Sequence, residues 1–270
     1  MKFQTNIDII SPNFSFKPCE RILFVGSCFA DNIGKRFKEE KFRTIVNPFG
    51  VMYNPVSILH TVQKLSNQAF DIVVFTLGTN HVYIEKATEE IVDNCQKRPQ
   101  KLFNEQELTI DESANALREA IHLLRKQNPN VKVIVTVSPI RYAKYGFHGS
   151  QLSKATLLLA ADKLVREEGE AVYYFPAYEI VNDELRDYRF YKADMLHPNE
   201  QAVEYIWERL VATCFSSEAK KFLEAWRPIK EALGHRPFNP DSEAYRLFMQ
   251  KTKEKIQWLK QLYPDLELDE

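Results

Sequence analysis

Long hydrophobic runs are missing from this chain, and a membrane-spanning helix with them. No stretch approaches the roughly 18 uninterrupted apolar residues such a helix needs. The opening MKFQTNIDIISPNF carries one lysine and no apolar core of leader length, so no secretory signal is expected and the location reads as cytoplasmic. Neither sign of charge is in excess. Lys and Arg number 36 against 37 Asp and Glu, which leaves no global field to draw nucleic acid or an anionic membrane, and neither is expected as a partner. Cysteine is sparse: Cys19, Cys28, Cys95 and Cys214 form no C-x-x-C pair and no zinc spacing, so reduced thiols and no metal are expected. Nucleotide fingerprints are also lacking. No G-x-G-x-x-G follows a strand, and seven residues separate Gly26 from Gly34-Lys35 where a phosphate loop has four. A flavin carrier would need a loop rich in Ser and Thr. No cofactor is expected.

What is present is an alternation of short apolar strands and amphipathic helices. Strand patterns lie at Arg21–Val25, Thr44–Val46, Ile72–Leu77, Val131–Val137 and Ala171–Phe175. Helical patterns lie at Phe29–Glu40, Pro55–Leu65, Glu112–Lys126, Ser150–Glu168 and Asn199–Ala212. The third of these carries Leu117, Ile121 and Leu124 on one face, and the fourth carries a stripe including Leu158, Ala161 and Val165. Residues 81–111 break the rhythm, with short strands at 82–84 and 91–92 followed by polar loop. This pattern predicts an α/β fold: a five-stranded parallel sheet in a three-layer α/β/α sandwich, flavodoxin-like or Rossmann-like. The expected domain spans residues 1–215. Residues 216–270 read as a helical hairpin packed on it, broken at Gly234–Pro240.

Ligands meet an open parallel sheet at the carboxyl ends of its strands. Four polar strings fall there: Gly26-Ser27-Cys28, Asn47-Pro48-Phe49-Gly50, Gly78-Thr79-Asn80-His81 and Asp194-Met195-Leu196-His197. Together they resemble the SGNH (GDSL-like) hydrolase superfamily. The string Gly26-Ser27-Cys28-Phe29-Ala30 is similar to the signature of its GSCFA family. Ser138-Pro139-Ile140-Arg141, Tyr174-Phe175-Pro176-Ala177-Tyr178-Glu179 and Asp187-Tyr188-Arg189-Phe190-Tyr191 extend the resemblance to about residue 212.

The resemblance implies an acyl-ester hydrolase acting on a small-molecule or saccharide ester through a nucleophile, His197 as base and Asp194 to orient it. Laid on without gaps, Gly-Asp-Ser of the superfamily puts Cys28 at the nucleophile position, where a helix N-terminus favours thiolate. Ser27 is the residue type the superfamily uses, and a one-residue slip of the turn would present it instead. The resemblance further implies Gly50 and Asn80 as oxyanion donors beside the nucleophile's own N–H. His81 stands where the superfamily has aspartate. His81 and His148 are candidate pocket residues or else surface or loop histidines, Arg141 is a candidate for binding an anionic group or for a structural ion pair, and Asp187 and Arg189 are expected to pack the loop that holds Asp194. The alternative is a non-catalytic binding protein on the same fold, suggested by Ser27, Cys28 and His81. Oligomeric state and substrate are not encoded in any of these residues.

Overall fold

The computed structural model describes residues 4–93, 95 and 98–266. Five runs dense in β-branched residues pair as one parallel sheet: β1 (Ile22–Gly26), β2 (Thr44–Val46), β3 (Ile72–Leu77), and two later strands, β7 (Lys132–Val137) and β8 (Val172–Tyr174). The order is β2-β1-β3-β7-β8, with Leu23 opposite Val73 and Val73 opposite Val133. Successive side chains point to opposite faces, so Ile22 and Phe24 enter one core while Leu23 and Val25 enter the other. Both faces are covered, which is why these strands read as continuous apolar runs.

On one face, α1 (Cys28–Glu39) packs with α6 (Glu200–Cys214) around Phe37, Ile206 and Trp207. Two further helices, α7 (Ser217–Gly234) and α8 (Glu243–Leu262), extend that core through Phe222, Trp226 and Leu259. Trp226 Nε1–H donates to the Glu39 carbonyl (3.1 Å), and Lys230 pairs with Glu40 (2.7 Å), so α7 is tied to the end of α1. The opposite face holds α2 (Pro55–Lys64), α3 (Ile110–Gln127) and α4 (Gly146–Glu168). A one-turn helix, α5 (Ala177–Glu179), follows β8. None of the helices among the described residues is long and apolar enough to cross a membrane.

Two details depart from the sequence reading. The stripe of α4 is centred on Leu157, Ala161 and Leu164, leaving Leu158 and Val165 only half-buried. Apolar residues fill so much of this helix that the stripe's centre is set by the sheet it meets. Between β3 and α3 the chain builds an antiparallel sheet from β4 (His81–Glu85), β5 (Ile91–Val92) and β6 (Phe103–Glu107). The first two match the short strands expected. β6, Phe-Asn-Glu-Gln-Glu, reads as polar loop because four of its five residues are exposed; backbone pairing to β4 makes it a strand.

Since β2 and β3 flank β1 on opposite sides, the strand order reverses between β1 and β3. Their carboxyl ends therefore border the crevice in which open α/β sheets bind ligands.

Candidate active site

The turn after β1 is built by three residues with separate tasks. Gly26 has φ +144°, and a Cβ there would lie 2.2 Å from the Thr76 carbonyl oxygen, so this position accepts only glycine. Its N–H donates to Asn47 Oδ1 (2.9 Å), while Asn47 Nδ2 donates to Asp31 Oδ1 (2.7 Å). One amide thus joins the end of β1 to the first turn of α1. Ser27 is fully buried and caps α1: its Oγ accepts from Phe29 N–H (3.3 Å) and shares a hydrogen bond with Thr76 Oγ1 (3.1 Å). Cys28 is the first residue of α1 and keeps part of its surface.

The thiol differs from the thiolate expected at a helix N-terminus. Burial pushes the Cys28 thiol above its ordinary 9.0, and Asp31 adds to the effect. Its own backbone N–H, Lys154 and Lys192 pull the other way without overcoming the desolvation.

The Asp194–His197 segment is a tight turn closed by one carboxylate. Asp194 Oδ1 accepts from the backbone N–H groups of Leu196 (2.9 Å) and His197 (3.0 Å), and Oδ2 lies 2.7 Å from His197 Nδ1. These bonds hold the Asp194 carboxyl down at about 2. A carboxylate only accepts, so Nδ1 carries the hydrogen and Nε2 is the nitrogen left for proton transfer. Met195 takes φ +59° to close the turn. Arg141, after β7, donates from Nη1 to the Met195 carbonyl (3.0 Å) and from its N–H to the Leu196 carbonyl (3.1 Å). Its guanidinium also stacks on Phe147, 4.2 Å from the ring centre. Arg141 therefore pins the histidine loop. Asp187 caps the 188–190 turn ahead of that loop by accepting from Arg189 N–H (2.8 Å). The Lys192 N–H donates to the His197 carbonyl (2.7 Å), and the lysine's charge reaches Cys28, which relates the histidine loop to the start of α1. Among the described residues no hydrogen bond joins His197 to Ser27 or Cys28.

Gly50 and Asn80 have other commitments. Gly50, at φ +93°, donates its N–H to the Asn47 carbonyl (2.9 Å) and closes the 47–50 turn. Asn80 is buried and spends one amide hydrogen on the Leu108 carbonyl (2.8 Å), leaving Oδ1 without a partner. The oxyanion donors expected from the resemblance are thus tied to backbone carbonyls, Gly50 wholly and Asn80 in part.

Sequence reasoning missed the polar face of α4. Ser150 Oγ accepts from Tyr142 N–H (3.1 Å), and Ser153 Oγ accepts from Asn80 N–H (3.0 Å). Lys154 donates to the carbonyls of Gly78 (2.6 Å) and Ser138 (2.7 Å). The signal was legible: Ser, Ser and Lys at i, i+3 and i+4 extend the apolar stripe where more apolar residues belong. A cavity of about 350 Å³ lies between β4–β6 and the Tyr142–Tyr145 loop, walled by Tyr53, Tyr83, Phe103, Tyr142 and Tyr145. His81 lines it, stacked on Tyr145 at 3.6 Å, whereas His148 is exposed. Burial pushes the Tyr53 and Tyr142 hydroxyls up, and Cys28 adds to the effect on both. No cluster of three or more His, Cys, Asp or Glu side chains among the described residues is arranged to hold a metal.

Several solved structures are similar in topology. A catalytic mutant of an acetylxylan esterase from Geobacillus stearothermophilus is 14% identical over 75% of this chain and 98% of its own, with a TM-score of 0.48. A family 3 carbohydrate esterase from Talaromyces cellulolyticus is 13% identical over 76% and 98%, with 0.44. A family two carbohydrate esterase from Clostridium thermocellum, in complex with cellohexaose, is 14% identical over 73% and 64%, also with 0.44. Likenesses this distant say nothing about substrate. No curated protein matches the chain. The family model described as "GSCFA family" matches residues 21–71 and 65–210, and that described as "GSCFA domain protein, C-terminal domain" matches residues 226–270. With the Gly26–Cys28 turn, the tyrosine-walled cavity and the histidine loop all carried by matched segments, the chain belongs to the GSCFA family.

Proposed function

We propose that this protein hydrolyses acyl esters, with Cys28 as nucleophile, His197 as base and proton carrier, and Asp194 to orient it. The observation that carries this reading is the division of labour at the turn. Ser27 is buried and occupied as the cap of α1, while the next residue, Cys28, keeps exposed surface at the positive end of the helix. His197 takes the Cys28 proton as the sulfur attacks; the sulfur forms a thioester with the acyl carbon and expels the alcohol as alkoxide, to which His197 passes that proton. His197 then draws a proton from the water that cleaves the thioester and returns it to the departing sulfur. Charge building on the carbonyl oxygen meets the N-terminal N–H groups of α1, that of Cys28 first. The cavity beside Tyr53 and Tyr142 holds the ester's larger part. Its ring-lined walls suit a saccharide or another flat-faced group.

The test is hydrolysis of p-nitrophenyl acetate and of acetylated saccharides by wild type and by His197→Ala. Turnover should fall at least about a thousandfold in the variant with its fold intact, because members of such a triad act as a unit. Retention of most activity would remove His197 from the mechanism.

A second reading, a binding protein that has lost turnover, draws on Gly50 and Asn80, whose donors are committed elsewhere. It is favoured if acetylated saccharides bind the wild type and none is hydrolysed.

A further inference from the structure

Arg141 brings more to the histidine loop than the loop uses. A guanidinium carries five N–H groups and stays charged in proteins. One of them, on Nη1, is spent on the Met195 carbonyl (3.0 Å). Among the described residues the others meet no acceptor, and no carboxylate pairs with the charge. Nor is the group sealed off: no nitrogen of this guanidinium is both buried and unpartnered, as Nε of Arg36 and of Arg209 are. Its Nε–Nη2 edge is therefore open to solvent. The two carboxylates of the 187–197 segment are engaged elsewhere, Asp187 with Arg189 (3.5 Å) and Asp194 with His197 (2.7 Å). Of the two roles open to Arg141 from sequence, the structural ion pair is absent among the described residues.

The surroundings hold that open edge in place. The guanidinium centre lies 4.2 Å from the centre of the Phe147 ring, 5.7 Å from that of Tyr191 and 5.8 Å from that of Tyr188. Rings attract the charge without neutralising it. Phe147 and Tyr188 are themselves 55% and 66% exposed, two large rings left in solvent beside the loop of the base. The bond to the Met195 carbonyl anchors the cation in the same turn as His197. An anion bound to Arg141 would thus be held against the histidine loop.

Resting on the hydrolase reading, we propose that Arg141 binds a carboxylate of the substrate, so that the preferred ester is that of an acidic saccharide. The chemistry of the fork selects this group. Two adjacent N–H groups on one planar edge match the two oxygens of a carboxylate in parallel hydrogen bonds. The exposed faces of Phe147 and Tyr188 suit the flat side of a sugar ring next to that carboxylate.

The test uses a matched pair of esters, O-acetylated methyl glucuronoside and O-acetylated methyl glucoside, which differ only in the carboxylate. Both are assayed with wild type, Arg141→Met and Arg141→Lys. Misplacement of His197 slows both esters alike, so the ratio of their kcat/KM values isolates the carboxylate contact. A charge-assisted pair should make that ratio at least about ten in wild type. It should fall to about one in Arg141→Met and lie between in Arg141→Lys, whose point charge lacks the fork. Raised salt should lower the wild-type ratio. No preference in wild type, or an unchanged preference in folded Arg141→Met, overturns the proposal. That result with His197-dependent hydrolysis of both esters leaves the hydrolase reading in place. If the methionine variant does not fold, an unchanged ratio in Arg141→Lys and at high salt overturns it instead. Binding of the deacetylated pair, read by ligand-observed NMR, needs no turnover. The glucuronoside should bind wild type at least about tenfold more tightly than the glucoside. Equal affinities overturn the proposal even where neither ester is cleaved. Preferential binding without cleavage would keep the carboxylate site and remove the hydrolase reading.

Discussion

Ser27 and Cys28 are adjacent, yet the fold buries the first and leaves the second partly exposed. The serine hydroxyl is consumed by Phe29 N–H and Thr76 Oγ1 in a site closed to solvent, so its contribution is to hold the turn. Ser27→Ala should cost about 1–2 kcal/mol of stability through loss of a cap and a buried partner. Its folded form should still turn over ester. Urea denaturation beside a steady-state assay checks both halves; a stable variant without turnover would return the nucleophile to Ser27. Sequence put both candidates on the turn after β1. It did not separate them, because side-chain type is silent about which hydroxyl or thiol is spent on capping. It also overrated the helix terminus: a dipole effect confined to the first turn does not offset the desolvation of a half-buried thiol.

At the scale of elements, the histidine loop depends on a residue from a different strand end. Arg141 holds the carbonyls of Met195 and Leu196, so the orientation of His197 is set jointly by the loop's own carboxylate and by the segment after β7. Arg141→Met keeps the backbone bond to Leu196 and removes the bond to Met195. Stability should change by no more than about 1.5 kcal/mol. Meanwhile kcat should fall about ten- to a hundredfold through misplacement of the base. An unchanged kcat would show that Asp194 alone suffices. The parallel sheet was legible because its strands are buried on both faces and uninterrupted. The Asp194–His197 turn was legible because a three-residue offset lets a carboxylate reach the ring. β6 was not, since its stability comes from pairing with β4 rather than from its own pattern. Nor were the second hydrogen bonds of Gly50 and Asn80, whose partners at Asn47 and Leu108 depend on how the loops close.

For the whole molecule, a cation buried without a counter-ion makes stability depend on pH. Lys154 gives up its proton at about 7 when folded, whereas an unfolded lysine keeps it to about 10.4. Between those values the unfolded chain binds more protons, so this group's contribution rises with pH, by up to about 1.4 kcal/mol per unit. Asp194 works at the acid end. Its carboxyl is held at about 2, so its contribution is complete above the usual carboxylate range and is lost as pH falls toward 2. Urea midpoints at pH 6, 7, 8 and 9 should therefore rise more steeply in wild type than in Lys154→Met; equal slopes would show that the lysine stays charged. The central claim, that Cys28 carries the acyl group, is tested most directly on the intact protein. His197→Ala is mixed with p-nitrophenyl acetate, whose leaving group needs no proton, and its mass is read before and after neutral hydroxylamine. One acetyl group should accumulate, map to Cys28 and be removed by hydroxylamine as a thioester is. An acetyl group on Ser27, resistant to that treatment, would contradict the account.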